Sequence, residues 1–253
     1  MFTKAIVRTP CKALINGITT ANLGKPNYEK ALAQHSDYIQ ALTESGLEVH
    51  CLDPDENFPD STFVEDVALL TNRCAIITNP GAASRTDEII SIRPTIECFY
   101  SNIESIKYPG TVEAGDIMMV GDHFYIGLSE RTNQSGADQM ITILQKYGMG
   151  GSIVCLSEVL HLKTGLGYLE NNMLLACGEF LTKPEFQKYS LLAVPPEEAY
   201  AANSVWINDI VLTPKGFPMT KGLIEAEGFQ VREVDVSEFQ KIDGGLSCLS
   251  LRF

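Results

Sequence analysis

A strand–turn–strand unit recurs along the chain, and it constrains the fold more than any other feature of the sequence. FVEDVALLTNRCAIITNP, VEAGDIMMVGDHFYIGLS, HLKTGLGYLENNMLLACG and AANSVWINDIVLTP share one pattern. Each runs from a polar or glycine residue into a short apolar strand, a tight polar turn and a second apolar strand. The opening residues are Asp66, Asp116, Gly165 and Asn203. The turns are Thr71-Asn72-Arg73, Gly121-Asp122-His123, Glu170-Asn171-Asn172 and Asn208-Asp209. Successive openings lie 50, 49 and 38 residues apart, and Asp243 of the closing stretch KIDGGLSCLSLRF lies 40 beyond Asn203. Five units of roughly fifty residues have the period of a propeller-like array.

Segments with helical periodicity separate the hairpins. YEKALAQHSDYIQALTESG (28–46) sets Leu32, Tyr38, Ile39 and Leu42 on one stripe and stops at Gly46. TDEIISIRPTIECFY starts at 86, with Pro94 placed to kink or split it. TNQSGADQMITILQKYG (132–148) has an Asn or Thr cap and a terminal glycine, and TKGLIEAEGF (220–229) is shorter. Each unit thus mixes β and α, which an all-β propeller would not need. The N-terminal strand TKAIVRTP has no hairpin partner, so it is expected to pair beside SCLSLRF and cover edges an open array would expose. The expected fold is an α/β, five-bladed pseudosymmetric propeller, one closed domain over residues 1–253 built from five ββαβ-like repeats.

Composition narrows the function. A 45% hydrophobic content suits a globular core, and no window approaches 18 consecutive apolar residues. The start MFTKAIVRTPCK lacks the apolar core and cleavage site of a signal peptide and reads as a strand. Seven cysteines (11, 51, 74, 98, 155, 177, 248) are scattered, odd in number and form no CxxC. That opposes a disulfide framework and a structural zinc site, and points to a reducing cytoplasm. A net charge of −13 disfavours nucleic acid and anionic membranes and suits a small cationic ligand.

If the repeats are pseudo-symmetric, polar groups at equivalent openings face a common axis. PDSTFVED offers Asp60, Glu65 and Asp66; VEAGD offers Glu113 and Asp116; later openings offer His161, Asp243 and Cys248. Acidic residues are common in turns for backbone reasons, so each alone reads first as structural. Arg85 and Arg131 both follow an outgoing strand and precede a helix, which would set both at one rim, where paired guanidinium forks suit a carboxylate. A free cysteine is mostly thiol at neutral pH and needs a neighbouring cation before it can attack. His161, the one histidine of four at an opening outside a turn or helix, could act as acid–base partner, oriented by Glu113. Thiol, imidazole, several carboxylates and two arginines fit a ligand with a guanidinium at one end and a carboxylate at the other.

FPDSTFVED, GTVEAGDIMMVGDHFYIG, ERTN, VLHLKTGLGYLE, KPEF and KIDGGLSCLSLRF, in that order, carry a resemblance that runs nearly end to end. The chain resembles the bacterial dimethylarginine dimethylaminohydrolases of the pentein superfamily. The resemblance implies hydrolysis of N-methylated arginine to citrulline and a methylamine, without metal or organic cofactor. By this resemblance Cys248 would attack the guanidinium carbon, and His161, supported by Glu113, would protonate the departing amine and then activate water. Asp66, Glu65 and Asp60 would hold guanidinium and amine nitrogens, and Arg85 and Arg131 the α-carboxylate. The segment 14–28 resembles the family's lid, with Ile18 supplying backbone contacts. Ala114 stands in EAGD where many distant superfamily members carry glycine. An arginine or agmatine deiminase and a non-catalytic binding protein of the same fold are the rival readings. A homodimer is compatible with an exposed propeller edge.

Overall fold

Each recurring unit becomes a three-stranded sheet, and all five sheets share one topology. The computed structural model describes all 253 residues. In chain order, β1 (Lys4–Arg8), α1 (Tyr28–Glu44) and β2 (Glu48–Leu52) come first. β3 (Ala68–Leu70), β4 (Ala75–Ile77), α2 (Glu88–Glu97) and β5 (Ile103–Ser105) follow. Then come β6 (Ile117–Val120), β7 (His123–Leu128), α3 (Gln134–Lys146) and β8 (Gly150–Cys155). The fourth sheet has β9 (Leu166–Tyr168), β10 (Met173–Ala176) and β11 (Ser190–Ala193), with two 3-10 turns instead of a helix. Last come β12 (Val205–Ile207), β13 (Ile210–Pro214), α4 (Pro218–Ala226), β14 (Gln230–Val234), the short α5 (Ser237–Gln240) and β15 (Leu251–Arg252).

In every sheet the central strand pairs antiparallel with its hairpin mate and parallel with the strand returning from the crossover. The hairpins close where the sequence places its turns. Glu170, Asn171, Asn172 and Asn208 take the positive φ that tight turns demand and that Asn tolerates best among side-chain-bearing residues. The first sheet draws its hairpin from the two chain ends: Ala5 faces Arg252 and Ile6 faces Leu251, as expected for TKAIVRTP beside SCLSLRF.

The chain divides into two compact units, one of Glu65–Thr164 and the other of Met1–Val64 with Gly165–Phe253. In the first, Ala137, Met140 and Leu144 of α3 pack on Phe124 and Ile126 of β7. In the second, Ala31, Tyr38, Ala41 and Leu42 of α1 pack with Phe63, Phe239, Leu246 and Leu249. The buried stripe of α1 differs from the expected one. Gln34 and His35 are buried, while Leu32 and Ile39 are only half-buried. Gln34 is accommodated because its Nε2 donates to Ser237 Oγ and its Oε1 accepts from Glu238 N. α2 runs through Pro94 without splitting. No helix is long and apolar enough to cross a membrane.

Candidate active site

Within the unit Glu65–Thr164, the openings of successive hairpins bring buried carboxylates around one imidazole. Glu113 is 1% exposed, and both its oxygens are engaged. Oε1 accepts from Ala82 N at 2.9 Å, and Oε2 is 2.8 Å from His161 Nε2. Asp66 Oδ1 accepts from Gly115 N at 3.1 Å and Oδ2 from Arg85 NH1 at 2.5 Å. Gly115 lies against the ring: a Cβ there would stand 3.1 Å from His161 Cγ and 2.8 Å from Asp66 Oδ1. Only glycine lets the imidazole sit this close to the backbone.

Burial opposes charge on His161, but the Glu113 hydrogen bond and the fields of Asp66, Asp116 and Glu113 outweigh it and push its pKa up to about 9. Half-buried and protonated at neutral pH, the ring is a proton donor with Nε2 tied to Glu113. Asp66, Glu113 and His161 also present three ligand atoms within 4.8 Å of one another. A cation there would require neutral imidazole and would compete with the Arg85 guanidinium, so this set is built to hold a proton.

Arg85 departs from the rim position expected of it. It is 5% exposed, its Nε and NH2 donating to the two oxygens of Glu88 and its NH1 to Asp66. Burial would favour its neutral form, but these carboxylates outweigh it and push its pKa up. Arg131 is only half-buried, yet its Nε is buried without a hydrogen-bond partner. Gly81 brings the segment before Arg85 onto Arg131, since a Cβ there would lie 2.3 Å from Arg131 O. Glu65 pairs with Lys163, Oε1 to Nζ at 2.5 Å.

In the other unit, the stretch DGGLSC folds into a turn that sets Cys248 half-buried in the 3-10 segment Ser247–Leu249. Gly245 N donates to Cys248 Sγ at 3.4 Å. The two glycines are required by close approach. A Cβ on Gly244 would be 2.2 Å from the Phe63 ring, and one on Gly245 would be 2.4 Å from Asn203 Oδ1. Tyr200 Oη donates to Gly244 O at 2.7 Å, and burial with Cys248 and Asp235 nearby pushes its pKa well above 10.

The segment expected as a lid is tied down at several points in this unit, among them Thr19 Oγ1 donating to Lys241 O and Asn27 N to Glu238. Asp60 accepts from Ile18 N at 3.0 Å, and Asp243 Oδ2 accepts from Thr20 N at 2.6 Å. Ile18 and Leu23 leave their side chains exposed. Glu88 and Lys163 escaped sequence reasoning, because each matters only through a partner that folding brings to it. Asp116 and Asn203 were visible as openings but carried no role.

Comparison with known proteins decides the family. The family model described as N,N dimethylarginine dimethylhydrolase, eukaryotic, matches residues 15–182. The N(G),N(G)-dimethylarginine dimethylaminohydrolase of Pseudomonas aeruginosa is 58% identical over 254 residues, covering 100% of both chains. The chain belongs to the dimethylarginine dimethylaminohydrolase family. Two crystal structures of this family each cover 100% of both chains at 57% identity and a TM-score of 0.99. One is a cysteine-to-serine variant of the Pseudomonas aeruginosa enzyme complexed with citrulline. The other is a histidine-to-glycine variant as an adduct with S-methyl-L-thiocitrulline. The fold class expected from the repeats holds: an α/β pentein fold of five three-stranded blades. Like its relatives, the chain is a hydrolase.

Proposed function

We propose that this chain hydrolyses N(ω)-methylated arginines, asymmetric dimethylarginine and monomethylarginine, to citrulline and a methylamine, with residues 1–253 acting as one catalytic domain. The observation that carries the reading is His161, held protonated by buried carboxylates yet half-buried itself. A guanidinium is a resonance-stabilised cation whose amine leaves only when protonated, so the reaction needs such a donor. The relatives solved with citrulline and with S-methyl-L-thiocitrulline support the substrate class.

In the proposed sequence the Cys248 thiolate adds to the guanidinium carbon. His161, with Nε2 held by Glu113, protonates the methylated nitrogen through Nδ1, and the C–N bond breaks to release the methylamine. This leaves a thiouronium on Cys248. Water then adds as His161 takes one of its protons, the C–S bond breaks to return thiolate, and the second proton leaves to solvent, where the released amine takes it up, giving citrulline. Asp66, Glu65 and Asp60 hold the cationic end and the amine. Arg131, with its unpartnered Nε, takes the α-carboxylate, while Arg85 braces Asp66. Ile18 contributes backbone contacts. Seven free cysteines suit a reducing cytoplasm.

The test is citrulline release from asymmetric dimethylarginine, with arginine in parallel, for the wild type and Cys248→Ser. Turnover of the methylated substrate alone, lost in the variant, is expected. Turnover of arginine instead would move the assignment to a deiminase, and turnover of neither to a binding protein.

A further inference from the structure

The residues that open the hairpins do more than start strands. Asp66 of one repeat accepts from Gly115 N, inside the stretch that carries Glu113 in the next repeat. Asp116 Oδ1 accepts from Leu162 N at 3.0 Å, one residue beyond His161. Asn203 Oδ1 accepts from Ser247 N at 2.9 Å, one residue before Cys248, and Asn203 Nδ2 donates back to Ser247 Oγ at 2.9 Å. Gly165 opens its hairpin with no side chain, and the repeat that follows it contributes no group to the proposed chemistry. There the backbones meet directly, as a Cβ on Gly167 would stand 2.7 Å from Ala202 O.

The clamp therefore occurs where a following repeat brings His161, Cys248 or the Glu113 that holds the ring, and is missing before the repeat that brings none of these three. From this we infer that Asp116 and Asn203 are positioning residues, Asp116 for His161 through Leu162 and Asn203 for Cys248 through Ser247. The inference rests on the hydrolase reading of Cys248 and His161.

Asp116 is suited to the task by its own restraint. It is fully buried, and its other oxygen accepts from Ser129 Oγ and Thr132 Oγ1, both at 2.7 Å. Thr132 Oγ1 in turn accepts from Glu113 N, so the two groups that address His161 share one anchored turn. Burial raises the Asp116 pKa, opposed by His161 and by these hydrogen bonds. Asn203 is bracketed similarly, its carboxamide lying where a Cβ on Gly245 would collide with it. A carboxamide that both donates to and accepts from one serine fixes the rotation of the turn that aims Sγ.

The experiment compares Asp116→Ala, Asp116→Asn and Asn203→Ala, each shown folded by its thermal melt at the assay temperature. Two readouts are taken: kcat and KM for citrulline release, and the titration of the His161 ring protons by NMR. Misplacing a reacting group by about 1 Å costs on the order of 100-fold, so Asp116→Ala and Asn203→Ala should lower kcat by about that factor with KM held within about threefold. Asp116→Asn keeps an oxygen for Leu162 N and should recover kcat to within about tenfold of wild type. The His161 pKa, set by Glu113, Asp66 and Asp116, should fall in Asp116→Ala and stay unchanged in Asn203→Ala. Folded alanine variants with wild-type kcat and an unmoved His161 titration would overturn the inference. If the wild type releases no citrulline, the hydrolase reading fails instead, and the titration still reports whether Asp116 governs His161.

Discussion

His161 keeps its proton in the folded chain up to about 9, against an ordinary 6.5. The sign follows from that order: the contribution of its ion pair to stability is complete below 6.5 and is lost as pH rises through about 9. Catalysis should follow the same limb, since kcat/KM reports the acid of the free enzyme. In the wild type kcat/KM should fall above pH about 9. Glu113→Gln, which removes the carboxylate on Nε2, should move that limb down by about one unit or more. A pH–rate profile with the limb in the same place in both proteins would show that Glu113 does not support the ring. The meeting of His161 with Glu113 was legible in sequence because each stands at a hairpin opening, a position the repeat itself marks. The burial of Arg85 was not, because it depends on Glu88 three residues on and Asp66 nineteen residues back. Such a cluster leaves no periodic trace.

Elements were legible in proportion to how completely they are buried. The central strands are nearly all buried, as in β7 and β13, and read as apolar runs. The returning strands β2, β5, β11 and β14 are mostly half-exposed, and their mixed sequences show neither a run nor a clean alternation. α1 hides its buried face for a related reason: two of the side chains on it are polar. His35 there is 3% exposed, and its Nε2 has no hydrogen-bond partner. Burial lowers its pKa from 6.5 to about 4, so the folded chain excludes a proton that the unfolded chain binds. Stability from this group is present above 6.5 and is lost as pH falls towards 4. Between pH 7 and pH 5 the loss should be about 2 kcal/mol. Urea unfolding of His35→Leu at both pH values should show a dependence shallower than wild type by that amount. Equal slopes would mean that the ring finds a partner when charged.

At the scale of the whole molecule, the chain ends occupy a place that any other repeat fills with a hairpin turn. Thr3 N and Lys4 N both donate to Phe253 O at 2.8 Å, and Phe253 N donates to Lys4 O at 3.0 Å. β15 and β1 are thus hairpin mates without a connection, and their sheet has the same order as the other four. The repeat, rather than the position of the ends, should then dictate the fold. A permutant joining Phe253 to Met1 by a short Gly/Ser linker tests this when opened between Gly121 and Asp122. Both residues are exposed, Gly121 has φ +58°, and Val120 still faces His123 across the cut. That permutant should fold, keep a cooperative melt and release citrulline at a rate within about tenfold of wild type, because tips of this kind tolerate opening. Opening instead between Asp243 and Gly244 should leave the sheets formed but abolish citrulline release, since it frees the turn that Phe63, Tyr200 and Asn203 hold around Cys248. Circular dichroism and citrulline release on the two permutants separate the cases. Loss of fold in the first would mean that the terminal sheet depends on its free ends, and activity in the second would mean that the glycine turn does not aim the thiol.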